Sequence, residues 1–284
     1  MGESFSGGPA WVNYNACLLY FNKRVQENKM TKINVRSFII APEGKVLLCA
    51  DYAGQELRVL AHVAQEPTMI AAFLRNQDVH LLLANDFYDL GIPEEYIITT
   101  RSEYNSTKSE FKQQRDDIKT VNFGLAYGKT KYGFAADWGW SVPKAEQFIA
   151  KYFERFPKIK IAIDKCNELV KKQKAIRNLM GRIRRFDHVD DRVLRQAFNF
   201  LVQGASADMV KKAAGDTYKL CQLHPKWDCK LVLSVHDELV YEVNDEYKDI
   251  ALAEIKYTME HAIELCVPMV VDINYGLNYS IAKG

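Results

Sequence analysis

The sequence contains no apolar run approaching the ~20 residues that a membrane-crossing helix needs, which excludes a chain built around one. Its first ten residues, MGESFSGGPA, lack the basic-then-apolar pattern of a secretory signal. Cysteine is scarce and scattered. The six, at positions 17, 49, 166, 221, 229 and 266, form no CxxC pair, and Cys221 and Cys229 are too far apart for a metal knuckle. They read as free thiols of an intracellular protein, not as a disulfide framework or a zinc module. There is no internal repeat, no low-complexity tract and no long Gly/Pro/Ser linker. What is present is ordinary for a globular chain: 284 residues, 48% hydrophobic, enough to bury one or two cores.

The net charge of +2 hides an uneven distribution. Residues 101–185 carry 20 Lys/Arg against 9 Asp/Glu, and residues 186–284 carry 10 against 16. Between Lys171 and Arg185 there are seven basic residues and no acid. A basic block followed by an acidic one suits a protein that grips a polyanion with one part and cations with the other. A solvated, Lys-rich helix face is the plainer alternative.

Strand-like stretches flank a helical middle. VRSFII (35–40) and KVLLCADY (45–52) read as a β-unit around a turn at Pro42-Glu43-Gly44. A helical pattern runs from Gly54 to about Asn85. A polar insertion, Thr99 to Ser109, precedes a helix from about Glu110 to Gly128. Further helices follow Pro143 and Pro157, then about Asp191 to Leu223. LVLSV and ELVYEV (231–243) read as a hairpin, followed by a helix from about Glu246 to Leu265 and a last strand, PMVVDINY. This predicts an α+β fold in which a β-containing domain is interrupted by a helical insertion.

Two carboxylates end apolar strands. Asp51 closes KVLLCADY, and Asp237 occupies the hairpin tip between His236 and Glu238, where Asn-Gly or Asp-Gly would cost less. If the strands are neighbours, both carboxylates reach one sheet edge. With no lysine beside them in the sequence they would repel, and a pair of Mg²⁺ ions would relieve that. A second pattern is Arg115, Lys119, Phe123 and Tyr127, repeating every four residues. Each step drifts about 40° round a helix, so the four form one twisting stripe of two cations and two aromatics. Cations hold phosphates, and flat rings accept a sugar or a base. Gly124 and Gly128 beside the rings are expected to leave room for a ligand.

Three segments together resemble the motifs of the family-A DNA polymerases: DYAGQELRVLAH (51–62), R-x3-K-x3-F-G-x2-Y-G (115–128) and VHDELV (235–240). Arg195-x3-Asn199-x3-Gln203-Gly204 is similar to that family's primer–template helix. The resemblance covers about residues 33–284. It implies a palm at 1–56 and 183–284 and fingers at 57–182. It further implies that Asp51, Asp237, the Tyr52 carbonyl and Glu238 hold two Mg²⁺, with Mn²⁺ as a substitute. Arg115 and Lys119 would grip the triphosphate, Lys119 also protonating the pyrophosphate. Phe123 would pack on the deoxyribose, Tyr127 and Gly128 near the templating base. Glu56 would exclude a 2′-OH, and His236 would contact the nucleotide or primer end. Arg195, Asn199 and Gln203 would follow the minor groove. The implied partners are primer–template DNA and deoxynucleoside triphosphates, with no membrane; the implied location is inside the cell, with DNA, as in bacterial or phage-infected cytoplasm.

The pattern departs from the family at Ala53-Gly54-Gln55, in place of Ser-Gln-Ile, and at Ser234, in place of Gln. With 50 residues before Asp51, no thumb or exonuclease is expected here, and a second polypeptide supplying one is a possible partner. Two alternatives stand beside a DNA polymerase: a non-catalytic nucleic-acid-binding subunit, and an RNA polymerase of the same architecture. Intact Asp51, Asp237, Arg115 and Lys119 argue against the first, and Glu56 against the second.

Overall fold

A computed structural model describes residues 34–126 and 128–284. The aromatic Tyr127 lies outside the described residues. The six strands among them are β1 (Lys45–Tyr52), β2 (Ala175–Arg177), β3 (Ile183–Arg185), β4 (Lys230–Val235), β5 (Glu238–Asn244) and β6 (Val271–Gly276). The chain packs as two compact units: 34–53, 210–262 and 270–284 in one, 54–209 and 263–269 in the other. The boundary falls within helix Ala205–Leu223. Packing therefore groups 54–56 and 183–209 with the helical unit.

The first unit is built on an antiparallel sheet in the order β4-β5-β1-β6. β1 is the near-continuous apolar run of the sequence, and it is central because both its faces are covered. One face packs Leu47, Cys49 and Val240 against Tyr279 and Ala282 of helix Tyr279–Lys283. On the other, Tyr52 donates its hydroxyl hydrogen to the Met259 carbonyl at 2.7 Å, and the Thr217 and Tyr241 hydroxyls meet at 2.8 Å. VRSFII is not a strand. Val35–Phe38 is a 3₁₀ turn capped by the Asn34 side chain, and Ile40 alone forms a bridge, to Asn278.

The second unit is helical, with one core that includes Leu60, Met69, Leu83, Ile118, Phe134, Tyr152 and Phe198. The run expected as helix from Gly54 to Asn85 is three helices, Gln55–Ala64, Pro67–Leu74 and Val79–Tyr88. Gln65 and Asn76 adopt positive φ at the two breaks, and Pro67 and the Asp78 cap restart the helix each time. Glu66 ties the unit together. It is fully buried, its Oε1 accepting from Thr68 N at 3.2 Å and its Oε2 from Lys158 N at 2.9 Å. The polar insertion holds a helix of its own, Tyr104–Glu110, which breaks at Phe111 before helix Lys112–Ala126. The basic run at 171–185 is the end of helix Pro157–Gln173 followed by the β2–β3 hairpin.

Candidate active site

In the first unit, the hairpin tip is a two-residue turn, with Val235 paired to Glu238. His236 takes φ 56° and Asp237 does not, the sign pattern of a II′ turn that favours glycine at its first position. An exposed histidine there costs about 1–2 kcal/mol of backbone strain. The turn is tied to β1 where Tyr52 N donates to the Asp237 carbonyl at 3.4 Å. Asp51 is directly opposite Glu238 on one side and Asp272 on the other. Residues directly opposite across a sheet share a face, so three carboxylates form one row. Asp51 and Asp272 also line a polar cavity of about 400 Å³ with Cys49, Asn274 and Lys283.

The row is not left unneutralised, as the sequence suggested. The Lys283 ammonium donates to Asp51 Oδ2 at 2.5 Å and also to Glu238 Oε2. Burial, the largest single influence, would raise the Glu238 carboxyl, but Lys283, Tyr279 and Cys49 together outweigh it and hold the group below its ordinary range. Lys283 is shifted up in turn, its partial burial overcome by Asp51 and Glu238. Asp237 behaves oppositely: burial first, then the charge of Asp51, pushes its carboxyl up. Glu238 Oε1 is buried and has no hydrogen-bond partner among the described residues.

An acid held up by a like charge and an orphaned carboxylate oxygen are both relieved by a divalent cation, so these residues fit one. Among the described residues, no group of three His, Cys, Asp or Glu side chains is placed to hold a metal ion by itself.

In the second unit, helix Lys112–Ala126 carries Arg115, Lys119 and Phe123. Lys119 and Phe123 line a cavity of about 530 Å³ with Thr120, Gly124, Gly128 and Lys129. Arg115 is engaged elsewhere: its Nε donates to Asp78 Oδ2 at 2.6 Å. Two residues on, His80 is buried, with Asn122 Nδ2 2.8 Å from its Nδ1. With the amide as donor, Nδ1 accepts and Nε2 carries the proton. Burial lowers the His80 pKa to about 4, so the ring is neutral at pH 7. Its centroid is 6.0 Å from that of Phe123.

The two glycines line that cavity, and each also makes room for a protein side chain. A Cβ on Gly124 would lie 2.7 Å from Phe134 Cζ, so this glycine lets Phe134 pack against the helix. Gly128 has φ +74°, and a side chain there would collide with Arg195. Arg195 and Gly128 are thus brought together. Glu56, on the first turn of Gln55–Ala64, accepts from Gln203 Nε2 at 3.3 Å. Gln203 belongs to a π-helical turn, Phe200–Gly204, that follows helix Asp191–Asn199; such turns cluster at functional sites. Arg195 and Gln203 are exposed, and Asn199 is partly buried.

Sequence reasoning missed Lys283, Asp78 and His80. Lys283 is 232 positions from Asp51 and has no motif. Asp78 and His80 had a readable signal, an Asp cap before an apolar run with a histidine two residues on, but caps of that kind are common.

Comparison with known proteins bears on the family and the fold. The profile of DNA polymerase family A matches residues 23–281. DNA polymerase I of Caldicellulosiruptor bescii is 35% identical over 257 residues, 88% of this chain and 28% of that protein. The thermostable DNA polymerase I of Thermus aquaticus is 31% identical over 259 residues, 88% of this chain and 29% of that protein. The chain thus spans under a third of the length of these relatives. The structure of the POL domain of Pol1 from M. smegmatis, in complex with DNA primer-template and dNTP, matches with a TM-score of 0.77 at 25% identity, over 88% of this chain and 43% of that one. No helix among the described residues is long and apolar enough to cross a membrane. The α+β architecture, the ordered motifs and a profile match along nearly the whole chain place it in DNA polymerase family A.

Proposed function

We propose that this chain adds deoxynucleotides to a primer 3′ end under the direction of a template, with 1–56 and 183–284 acting as palm and 57–182 as fingers. The observation that carries the reading is the strand-end carboxylate group. Asp51 and Asp237 belong to paired segments of one sheet, and Asp237 is held up by burial and by Asp51. A binding module gains nothing from such repulsion.

Asp51, Asp237, Glu238 and the Tyr52 carbonyl would hold two divalent cations, Mg²⁺ or Mn²⁺. Bound there, such ions activate an attacking hydroxyl and stabilise a leaving pyrophosphate. The other roles belong to side chains. Arg115 holds the triphosphate, and Lys119 holds it and delivers a proton to the departing pyrophosphate oxygen. Phe123 packs on the sugar. Glu56, buttressed by Gln203, fills the volume that a 2′-OH would need. Tyr127 and Gly128 stack beside the templating base, and His236 contacts the incoming nucleotide or the primer end. Arg195, Asn199 and Gln203 follow the new base pair in the minor groove.

The test is Mg²⁺-dependent primer extension with Asp51→Asn and Asp237→Asn. Both variants should lose extension and keep DNA binding, since the lost charges repel phosphate. Normal extension by either removes the assignment. A wild-type chain that binds primer–template and never extends it, with Mg²⁺ or Mn²⁺, is the non-catalytic subunit instead.

A further inference from the structure

The segment between Leu90 and Phe111, which contains the polar insertion Thr99 to Ser109, has no part in the reading above, yet it is firmly built into its unit. Ile92, Ile97 and Tyr104 close a small core of their own over Leu81, flanked by Leu90 and Phe111. The backbone is stitched at its base: Asp78 N donates to the Ile97 carbonyl at 3.0 Å and Thr99 N to the Asn76 carbonyl at 2.8 Å. Gln77 Nε2 donates to Glu94 at 2.8 Å. The Tyr104 hydroxyl of this core reaches a functional group, donating to Asp78 Oδ2 at 2.7 Å.

Asp78 is saturated by these contacts. Its Oδ1 accepts from His80 N at 2.9 Å and Leu81 N at 3.1 Å, as the cap of helix Val79–Tyr88. Its Oδ2 accepts from both Tyr104 and Arg115 Nε. The cap fixes one oxygen, and the hydroxyl fixes the rotation of the other. Asp78 holds Arg115 through Nε, so the two terminal nitrogens are not spent on Asp78; Nη1 lies 3.8 Å from Asp116 Oδ1, a half-exposed carboxylate. The terminal nitrogens are the groups that bind phosphate bidentately. The guanidinium plane is thus set before any ligand arrives, and the ordering cost of binding falls.

We propose that the segment between Leu90 and Phe111 is a brace for triphosphate binding, with Tyr104 a positioning residue that orients Arg115 through Asp78. The proposal rests on Arg115 being a triphosphate ligand. The probe is the α,β-methylene analogue of dATP, titrated into the full chain with Mg²⁺, followed by steady-state primer extension with dATP. Tyr104→Phe removes one hydrogen bond and leaves the ring in its core. It should raise the analogue Kd and the KM for dATP about fivefold, with kcat and DNA affinity held within twofold. Asp78→Asn keeps a good cap but loses the charge, and should raise both about thirtyfold. Thermal unfolding of each variant is measured first; if Tyr104→Phe does not fold, Asp78→Asn decides.

A wild-type chain that binds no analogue overturns the triphosphate reading, and the brace with it. A wild-type chain that binds, with variants whose Kd stays within twofold, overturns the brace alone. A lowered kcat and lowered melting temperature at unchanged KM give Tyr104 a purely structural role and also overturn it.

Discussion

The two units solve the same electrostatic problem with opposite signs. In the sheet unit, a lysine neutralises a row of carboxylates; in the helical unit, an aspartate neutralises an arginine. The difference is in how fully the counter-charge is committed. Asp78 makes four hydrogen bonds and cannot leave without uncapping a helix. Lys283 is on a five-residue helix, half exposed, and it leaves one oxygen of Glu238 unsatisfied. A permanent counter-ion suits a group that must present a fixed cationic surface. A displaceable one suits carboxylates that, under the proposed function, would exchange a protein cation for metal ions.

The largest way to break this comparison is to remove the carboxylates themselves. Asp237→Asn should lower extension by about a thousandfold or more, as for loss of a main transition-state charge stabiliser. It should also make the fold more stable at pH 7, by about 1 kcal/mol, because it deletes a buried charge beside Asp51. The melting temperature checks the second part. A fall in stability would mean that Asp237 is held by favourable contacts, not against repulsion.

Next comes the displaceable cation. Lys283→Met should destabilise the chain by about 2 kcal/mol at pH 7, less than a fully buried pair because Lys283 is partly exposed. The pH dependence has a definite sign. In the wild type the Glu238 carboxyl is held low, so it stabilises the fold above the unfolded value near ~4.3 and loses that contribution as pH falls. Without Lys283, only Tyr279 and Cys49 oppose the effect of burial, so the carboxyl rises and the group stabilises the fold less above its unfolded value. The gap between wild type and variant should therefore close below about pH 4. Urea unfolding at pH 7 and pH 3.5 measures it, and a constant gap would show that Lys283 acts through packing.

Sugar selection gives a smaller effect. Glu56→Ala should cut discrimination against ribonucleotides about tenfold or more, read from the kcat/KM ratio for dATP over ATP. The smallest sharpens the helix packing. Gly124→Ala should cost about 1 kcal/mol, since overpacking against Phe134 exceeds the gain in helix propensity. In a Phe134→Leu background, the same change should become neutral or stabilising by melting temperature.

Much of the fold was legible because it is local. The apolar strand ending at Asp51, the His236–Asp237 tip and the Lys119/Phe123 spacing follow from short periodicities. What was not legible depends on chain returns. Lys283 reaches Asp51 only after the sheet has closed, and the premise that the carboxylates had no lysine was a statement about sequence neighbours. VRSFII has the composition of a strand, yet among the described residues it is bridged only at Ile40, to Asn278, and Val35–Phe38 ahead of it closes a 3₁₀ turn. The insertion read as polar surface because one aromatic among seven helix residues gives no period; Tyr104 is buried by partners outside that helix.

The helix that carries Lys283 runs only from Tyr279 to Lys283, and its apolar anchors on the sheet include Tyr279 and Ala282. Any change that loosens this one short helix therefore edits the electrostatics of Asp51 and Glu238 from outside the sheet. A metal affinity measured at the proposed site is then a property of helix docking as much as of the carboxylates, and should be measured with Lys283 present and replaced.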